Sequence, residues 1–239
     1  MVDLLGGVVA GAAFVLYGVA FLYTEVVRAI LLFYTMPLWG FLLGWALLGD
    51  RITWYRWAAI AIGLAGLTVV FGAGAGVPLP RNLGDWCAAT SGFLWAVASL
   101  MILMQRRVSA LVHGINFFAA AAVLSVLAAL VAGGAGLIGR PDWNAFLPMA
   151  VWAVPVAMVL ILPAGLATVY APTRLNPGVC GLLFMAEVVV AAVTAALWAG
   201  EPLSVREAAG LVLIVCAGLV EPAAMTWRRR QAMARGETG

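Results

Sequence analysis

The chain has 239 residues, of which 65% are hydrophobic and 10% charged, and its mean hydropathy is +1.09. A soluble domain carries roughly 25% charged residues, so this composition excludes a water-soluble globular fold and makes the bilayer the solvent. The net charge of +3 comes from thirteen arginines set against ten acids, with no lysine.

A hydrocarbon core of about 30 Å takes about 20 apolar helical residues at about 1.5 Å each. Eight stretches reach that length: Leu4–Tyr23, Ala29–Gly49, Trp57–Val77, Trp86–Met104, Ile115–Ile138, Phe146–Tyr170, Pro177–Ala199 and Ala208–Trp227. None alternates in the manner of a barrel strand. The fold class expected is an all-α integral membrane protein of eight transmembrane helices. The first stretch has only Asp3 before its apolar run and lacks the basic leader of a secretory signal, so it counts as a span.

Along the chain, Pro37 interrupts the second span, and Pro148, Pro155 and Pro163 divide the sixth. Gly7/Gly11 and Gly40/Gly44 are small-xxx-small pairs that allow close backbone approach. Trp54, Trp57, Trp86, Trp143 and Trp227 fall at span ends and read as interfacial anchors. His113, the one histidine, falls between the fourth and fifth spans beside Arg106 and Arg107 and reads as a surface loop residue. Cys87, Cys180 and Cys216 all lie inside spans, with neither disulfide nor metal-ligand spacing.

Eight crossings put both termini on one side. That side receives Arg51, Arg56, Arg106, Arg107, Arg174, Arg228, Arg229, Arg230 and Arg235; the other receives Arg28, Arg81, Arg140 and Arg206. The positive-inside rule then places both termini in the cytoplasm. The run Arg228-Arg229-Arg230 sits directly behind a span and reads as a topology anchor on the lipid surface, so no nucleic-acid partner is expected.

Gly72-Ala-Gly-Ala-Gly-Val-Pro-Leu-Pro-Arg81 is the one stretch of linker composition. It divides the chain into 1–77, with three spans, and 78–239, with five and a basic tail. Sliding one part over the other lays Leu48-Gly49-Asp50-Arg51-Ile52-Thr53 on Ala199-Gly200-Glu201-Pro202-Leu203-Ser204. Each is a helix end, an acid and a short loop, with Thr53 or Ser204 placed to N-cap the next helix. Charge counting puts Asp50 inside and Glu201 outside, as an inverted-topology repeat requires.

These residues carry a resemblance. Pro37-Leu-Trp-Gly-Phe-Leu-Leu-Gly-Trp-Ala-Leu-Leu-Gly-Asp50, with Gly63 and Gly66 after it, resembles the first-half signature of the drug/metabolite transporter superfamily, EamA type. Gly84-Asp85-Trp-Cys-Ala-Ala-Thr-Ser-Gly-Phe-Leu-Trp95-Ala is similar to the opening of that family's second repeat. Glu187, Gly200-Glu201 and Gly210 resemble its close. The likeness implies two inverted five-helix repeats, both termini cytoplasmic, and movement of small organic solutes, often by export. This sequence departs from the pattern in having Asp50 where Glu is usual and Val188 where Pro is frequent. Nothing in residues 1–77 matches the first two of the ten helices.

Glu187 stands ten residues after Pro177, near mid-membrane by rise per residue. An acid there is costly and defaults to a functional hypothesis, a proton-exchanging or solute-binding carboxyl; the alternative is a helix-locking hydrogen bond. Cys180, Glu187 and Thr194 recur every seven residues and are expected on one face. Tyr17, Tyr34, Ser91, Trp95 and Asn116 are mid-span or near it, and with Glu187 and Thr194 form the candidate solute site. No HExxH, GxSxG or phosphate loop is present, and Glu187 has no nucleophile beside it, so no catalytic residue, metal or cofactor is expected.

The function expected is secondary transport of a small organic metabolite or amphipathic solute across the cell (inner) membrane. The alternative is a non-transporting relic, or a subunit that a partner chain completes, with a homodimer as the candidate assembly.

Overall fold

A computed structural model of the chain describes residues 2–50, 53–71, 79–105, 107–134, 136, 143–194, 196–197 and 204–234, and among them every regular element is helical. In chain order these are α1 (Val2–Tyr23), α2 (Val26–Phe33), α3 (Met36–Leu48), α4 (Trp54–Phe71), α5 (Leu83–Met104), α6 (Ala110–Gly134), α7 (Trp143–Val156), α8 (Leu162–Tyr170), α9 (Pro177–Phe184), α10 (Ala186–Thr194) and α11 (Val205–Ala234). A π-helical turn, Ala157–Ile161, joins α7 to α8. Six helical stretches are long and apolar enough to cross a bilayer: Leu5–Tyr23, Arg28–Leu48, Leu83–Met104, Ala110–Gly134, Leu147–Thr173 and Pro177–Thr194. Trp54–Val70 is a shorter apolar helix. The chain is a multi-pass membrane protein. The linker at 72–78 and the second acidic corner at 198–203 lie outside the described residues.

Several helices begin earlier than their apolar runs because polar residues cap them. Asn82 accepts the Asp85 amide (2.8 Å) ahead of α5. Ser109 stands ahead of α6; its carbonyl takes the His113 amide (3.2 Å) and its hydroxyl lies 3.4 Å from the Val112 amide. That cap draws His113 into the first turn of α6, where it is fully buried, and corrects its reading as a surface loop residue. Ser204 and Glu207 form a capping box at α11: the Ser204 amide and hydroxyl donate to Glu207 Oε2 (2.8 and 2.7 Å), and the Glu207 amide donates back to Ser204 Oγ (3.2 Å). These donors hold the Glu207 carboxyl below its ordinary range, so the cap persists above that range and is lost as pH falls through the lowered value. Thr53 behaves differently. Its carbonyl receives the Arg56 amide (3.0 Å), but its hydroxyl makes no hydrogen bond among the described residues, so the expected side-chain cap is absent.

Three spans are broken, and prolines account for two of the breaks. Pro37 supplies no amide, and α2 closes at Tyr34 before α3 restarts. In the sixth span Pro155 precedes the π turn and Pro163 follows it. The seventh breaks at Met185 without a proline. A shift of 151 residues carries α2 onto α9 from end to end and the start of α4 onto the start of α11. The residues before α2 and α9 share one extended conformation, Glu25 at φ −63°, ψ 139° and Asn176 at φ −60°, ψ 140°.

α1 packs between α5 and α6, α4 against α11, and α3 against α9 and α5. At the α3–α9 crossing the backbones themselves come close. A Cβ added to Gly40 would lie 2.5 Å from the Gly178 amide and 2.6 Å from the Pro177 carbonyl carbon. Asn176 caps α9 by accepting the Gly178 amide (2.9 Å) and donates to Asp50, which anchors one end of this crossing.

At the opposite end of the bundle Asp85 is fully buried. It accepts from Thr24 (2.5 Å), from the Arg28 guanidinium (2.5 Å) and from the Arg81 amide (2.9 Å), which joins the starts of α2 and α5. A buried carboxylate is tolerated when paired this fully, and removing one partner of such a pair costs about 3–5 kcal/mol. Arg28, at the start of α2, is in this way paired with an acid 57 residues further along the chain. The sixth span is the least packed: residues Leu147 to Ala164 are exposed nearly all round, and the span meets the bundle where α8 reaches α6.

Gly40→Ala is expected to lower stability in detergent by about 1–3 kcal/mol, the usual cost of overpacking. Gly18→Ala, where a Cβ meets nothing within 4 Å, is expected to be neutral or stabilising. Equal melting shifts for the two would mean that the α3–α9 contact is not formed.

Candidate functional site

The break at Met185 leaves a carbonyl without its helical donor. The Val188 amide turns to Met185 O (3.1 Å), so Phe184 O is free to accept from elsewhere. Tyr34, at the end of α2 and 3% exposed, fills that role: its hydroxyl lies 3.0 Å from Phe184 O and 3.2 Å from Glu187 Oε2. Two broken spans are thereby tied together at their breaks, with Glu187 in the first turn of α10.

Beside this contact lies a cavity of about 370 Å³, within the range of small-molecule sites. α1 supplies Phe14 and Tyr17, α2 supplies Phe33, and α5 supplies Trp95. Phe117 and Phe118 come from α6 and Phe184 from α9, with Glu187 beside them. Leu160, Ile161, Ala164, Gly165 and Thr168 close the wall toward the sixth span. The rings brace one another edge to face: Trp95–Phe117 at 5.9 Å, Trp95–Phe184 at 6.2 Å and Phe14–Phe117 at 5.7 Å between centroids. A smaller cavity of about 260 Å³ adjoins it, lined by Tyr17, Tyr34 and Glu187 among others.

Of the seven candidate residues, Tyr17, Trp95 and Glu187 line the main cavity and Tyr34 touches Glu187 from its neighbour. The other three lie elsewhere. Ser91 is buried and donates to Ala13 O (2.7 Å), stitching α5 to α1. Asn116 packs its Cβ against Gly7 of α1. Thr194 donates to Val190 O (2.9 Å) in its own helix. The seven-residue face through Cys180, Glu187 and Thr194 fails because the break at Met185 resets the helical phase; Cys180 is fully buried on α9.

Residues 3–72 match the EamA-like transporter family. The resemblance seen in the sequence therefore holds over α1 to α4, which carry Phe14, Tyr17, Phe33 and Tyr34. No protein of curated function matches the chain. A solved structure described only as "Crystal structure of protein" superposes with a TM-score of 0.74 and 24% identity, over 95% of this chain and 76% of that one. At that identity the likeness is one of fold. It nonetheless extends beyond the EamA-like segment to the helices that bear Trp95, Phe117 and Glu187.

The five phenylalanines were missed in the sequence because apolar rings in spans look like core. A signal was available for one of them: Phe14 stands three residues before Tyr17 in α1, one helical turn away on the same face.

The Tyr34–Glu187 contact can be tested by a double-mutant cycle. Tyr34→Phe and Glu187→Gln, combined in one chain and unfolded by denaturant titration in micelles, are expected to be non-additive by at least about 0.5 kcal/mol, as for residues in contact. Strict additivity would mean that the hydroxyl and the carboxyl do not meet.

Proposed function

We propose that the chain is a secondary transporter of small organic solutes across the cell membrane, acting as an exporter and without ATP. The carrying observation is the aromatic cavity at the crossing of two discontinuous spans, with a carboxylate in the first turn after one break. Discontinuous helices that meet at a mid-membrane site are a recurring transporter device. The match of α1 to α4 to a transporter family supports the same reading, and so does the absence of any nucleotide motif in the sequence.

The architecture that goes with it is eight crossings, with α4 and α11 completing the set. Residues 1–77 form a three-helix repeat and residues 78–239 a five-helix repeat of inverted sense. The matched limits of α2 and α9 support a repeat. Inversion is supported by their starts: α2 begins beside the Arg28–Asp85 pair and α9 beside Asp50, at opposite ends of the bundle. Arginine distribution supports cytoplasmic termini in an inner membrane. A cysteine placed at Ser204 is expected to react with an impermeant reagent from outside intact cells, and one at Thr53 is not. The reverse order would overturn both the orientation and the inversion.

In this reading Glu187 serves the solute and no residue is catalytic. Proteoliposomes under an imposed proton gradient, offered labelled amino acids, organic acids and amphipathic cations, are expected to show gradient-dependent flux for one class. A hydrogen bond to a charged group is worth about 1.5–3 kcal/mol, so Glu187→Gln is expected to lower that flux ten- to a hundredfold in a folded protein. Wild-type flux in the variant would remove Glu187 from the site.

A second reading, a subunit completed by a partner chain, rests on the sixth span. Leu160 and Ile161 line the cavity from a stretch that, among the described residues, packs against nothing on its outer side. A chain that carries no solute alone but does so as a homodimer or with another subunit would favour that reading. Inertness in both settings would favour a relic.

A further inference from the structure

We infer that the chain carries a second binding site, at the rim of the bundle, for the headgroup of an anionic phospholipid: a phosphodiester whose remaining part is uncharged. It lies apart from the aromatic cavity, with which it shares no lining residue.

Three span ends build the site. α5 ends at Met104, α6 begins at Ala110, and the sixth span closes in a short 3-10 turn, Ala171–Thr173. α6 and α8 meet one helical turn deeper, where a Cβ on Gly114 would lie 2.4 Å from the Leu166 side chain. The Ala171–Thr173 turn rests against α5. Between these ends opens a cavity of about 650 Å³, larger than the aromatic one. Its place at the ends of spans puts it at the depth of lipid headgroups.

The charged residues that line it are Arg107 and Arg174, and no acid accompanies them. Each is seated on a closed turn. The Val108 amide donates to Gln105 O (3.0 Å) around Arg107, and the Arg174 amide donates to Ala171 O (3.0 Å). The Arg174 guanidinium also lies over the Tyr170 ring at 5.9 Å. Arg28 is neutralised by Asp85, whereas among the described residues neither of these two guanidiniums meets a carboxylate.

Neutral donors add to the charge. The Ser109 hydroxyl lies 3.4 Å from the Val112 amide as acceptor and keeps its own proton to give. Ala110, the first residue of α6, lines the cavity, which brings the positive end of a 25-residue helix to its wall.

Two guanidiniums without an acid select a group of net negative charge, and the planar guanidinium fork matches phosphate oxygens. A zwitterionic headgroup would bring its ammonium to two like charges and no counter-charge. A soluble phosphate would meet the same donors, so the surroundings decide for a lipid. Leu111 and Ile115 in the first turns of α6 are 61% and 58% exposed, and Tyr170 at the end of α8 is 52% exposed. Acyl chains lie against these side chains while the phosphate reaches the pocket, an arrangement that basic pockets between spans use for anionic lipids. Arg107 belongs to the α5–α6 turn and Arg174 to the end of the sixth span. A headgroup held by both fastens the least packed span to the rest of the bundle.

The test titrates the full chain, delipidated in detergent micelles, with dioleoylphosphatidylglycerol or dioleoylphosphatidylcholine and counts bound lipid by native mass spectrometry. The first phosphatidylglycerol is expected to bind at least tenfold more tightly than phosphatidylcholine. Arg107→Gln combined with Arg174→Gln is expected to bring the two within twofold, while Arg206→Gln, an exposed arginine at the start of α11, leaves the preference intact. Glycerophosphoglycerol, the same headgroup without acyl chains, and inorganic phosphate are expected to compete at least tenfold more weakly than the lipid. Should the double variant fail to fold, the lipid comparison and the competition on the unaltered protein still decide. Equal binding of the two lipids would overturn the inference, as would a folded double variant that keeps the preference or an equal loss in Arg206→Gln. Competition by either soluble phosphate within tenfold of the lipid would assign the pocket to a soluble anion and overturn the lipid as its occupant.

Discussion

The crossing of two interrupted spans is the constraint on which the other features depend. A helix inside a membrane satisfies its own backbone, and an interruption leaves carbonyls that lipid cannot serve. At Phe184 the unserved carbonyl is accommodated by a side chain from the other broken span, the Tyr34 hydroxyl. The same two spans meet closely at α3 and α9, where Gly40 has no Cβ to strike the Pro177–Gly178 backbone and Gly178 none to strike the Phe41 ring. Backbone chemistry, packing and the placement of Glu187 are one arrangement.

Either end of the bundle is secured by a polar cluster of a different strength. Asp85 collects a guanidinium, a hydroxyl and a backbone amide, whereas among the described residues Asp50 accepts from the Asn176 amide. An ion pair with further hydrogen bonds on the same carboxylate is the stronger arrangement. The Asp85 end is therefore the firmer one, and the cavity lies between a tight end and a looser one.

Much of the fold was legible in the sequence, because spans announce themselves by length and apolarity, and Pro37, Pro155 and Pro163 by their missing amides. The repeat offset found from one hydrophilic corner also relates the limits of α2 and α9, helices that played no part in finding it. The candidate site's geometry was legible in part. Glu187, Trp95, Tyr17 and Tyr34 stood out as polar or amphipathic groups at membrane depth, and they do converge. Ser91, Asn116 and Thr194 were chosen on the same criterion and do not, because small polar side chains can satisfy themselves on nearby backbone or pack against a glycine. The Met185 break had no proline to mark it, which is why the face through Cys180 and Thr194 was misread. Asp85 stands out in the sequence by its motif but not by its chemistry, since its side-chain partners lie 57 and 61 residues away along the chain.

The sixth span has a consequence for the medium in which the protein is handled. Leu160 and Ile161 belong at once to the cavity wall and to a stretch with no protein behind it. For a lone chain in a bilayer, acyl chains are the backing of that wall, and the π turn there is flanked by Pro155 and Pro163, both features at which helices bend. The width of the cavity is then set in part by bilayer thickness and lateral pressure, which act on this span at fractions of a kcal/mol per Å. Lipid becomes a structural component of the pocket, and exchanging bilayer for detergent changes the pocket itself as well as its surroundings.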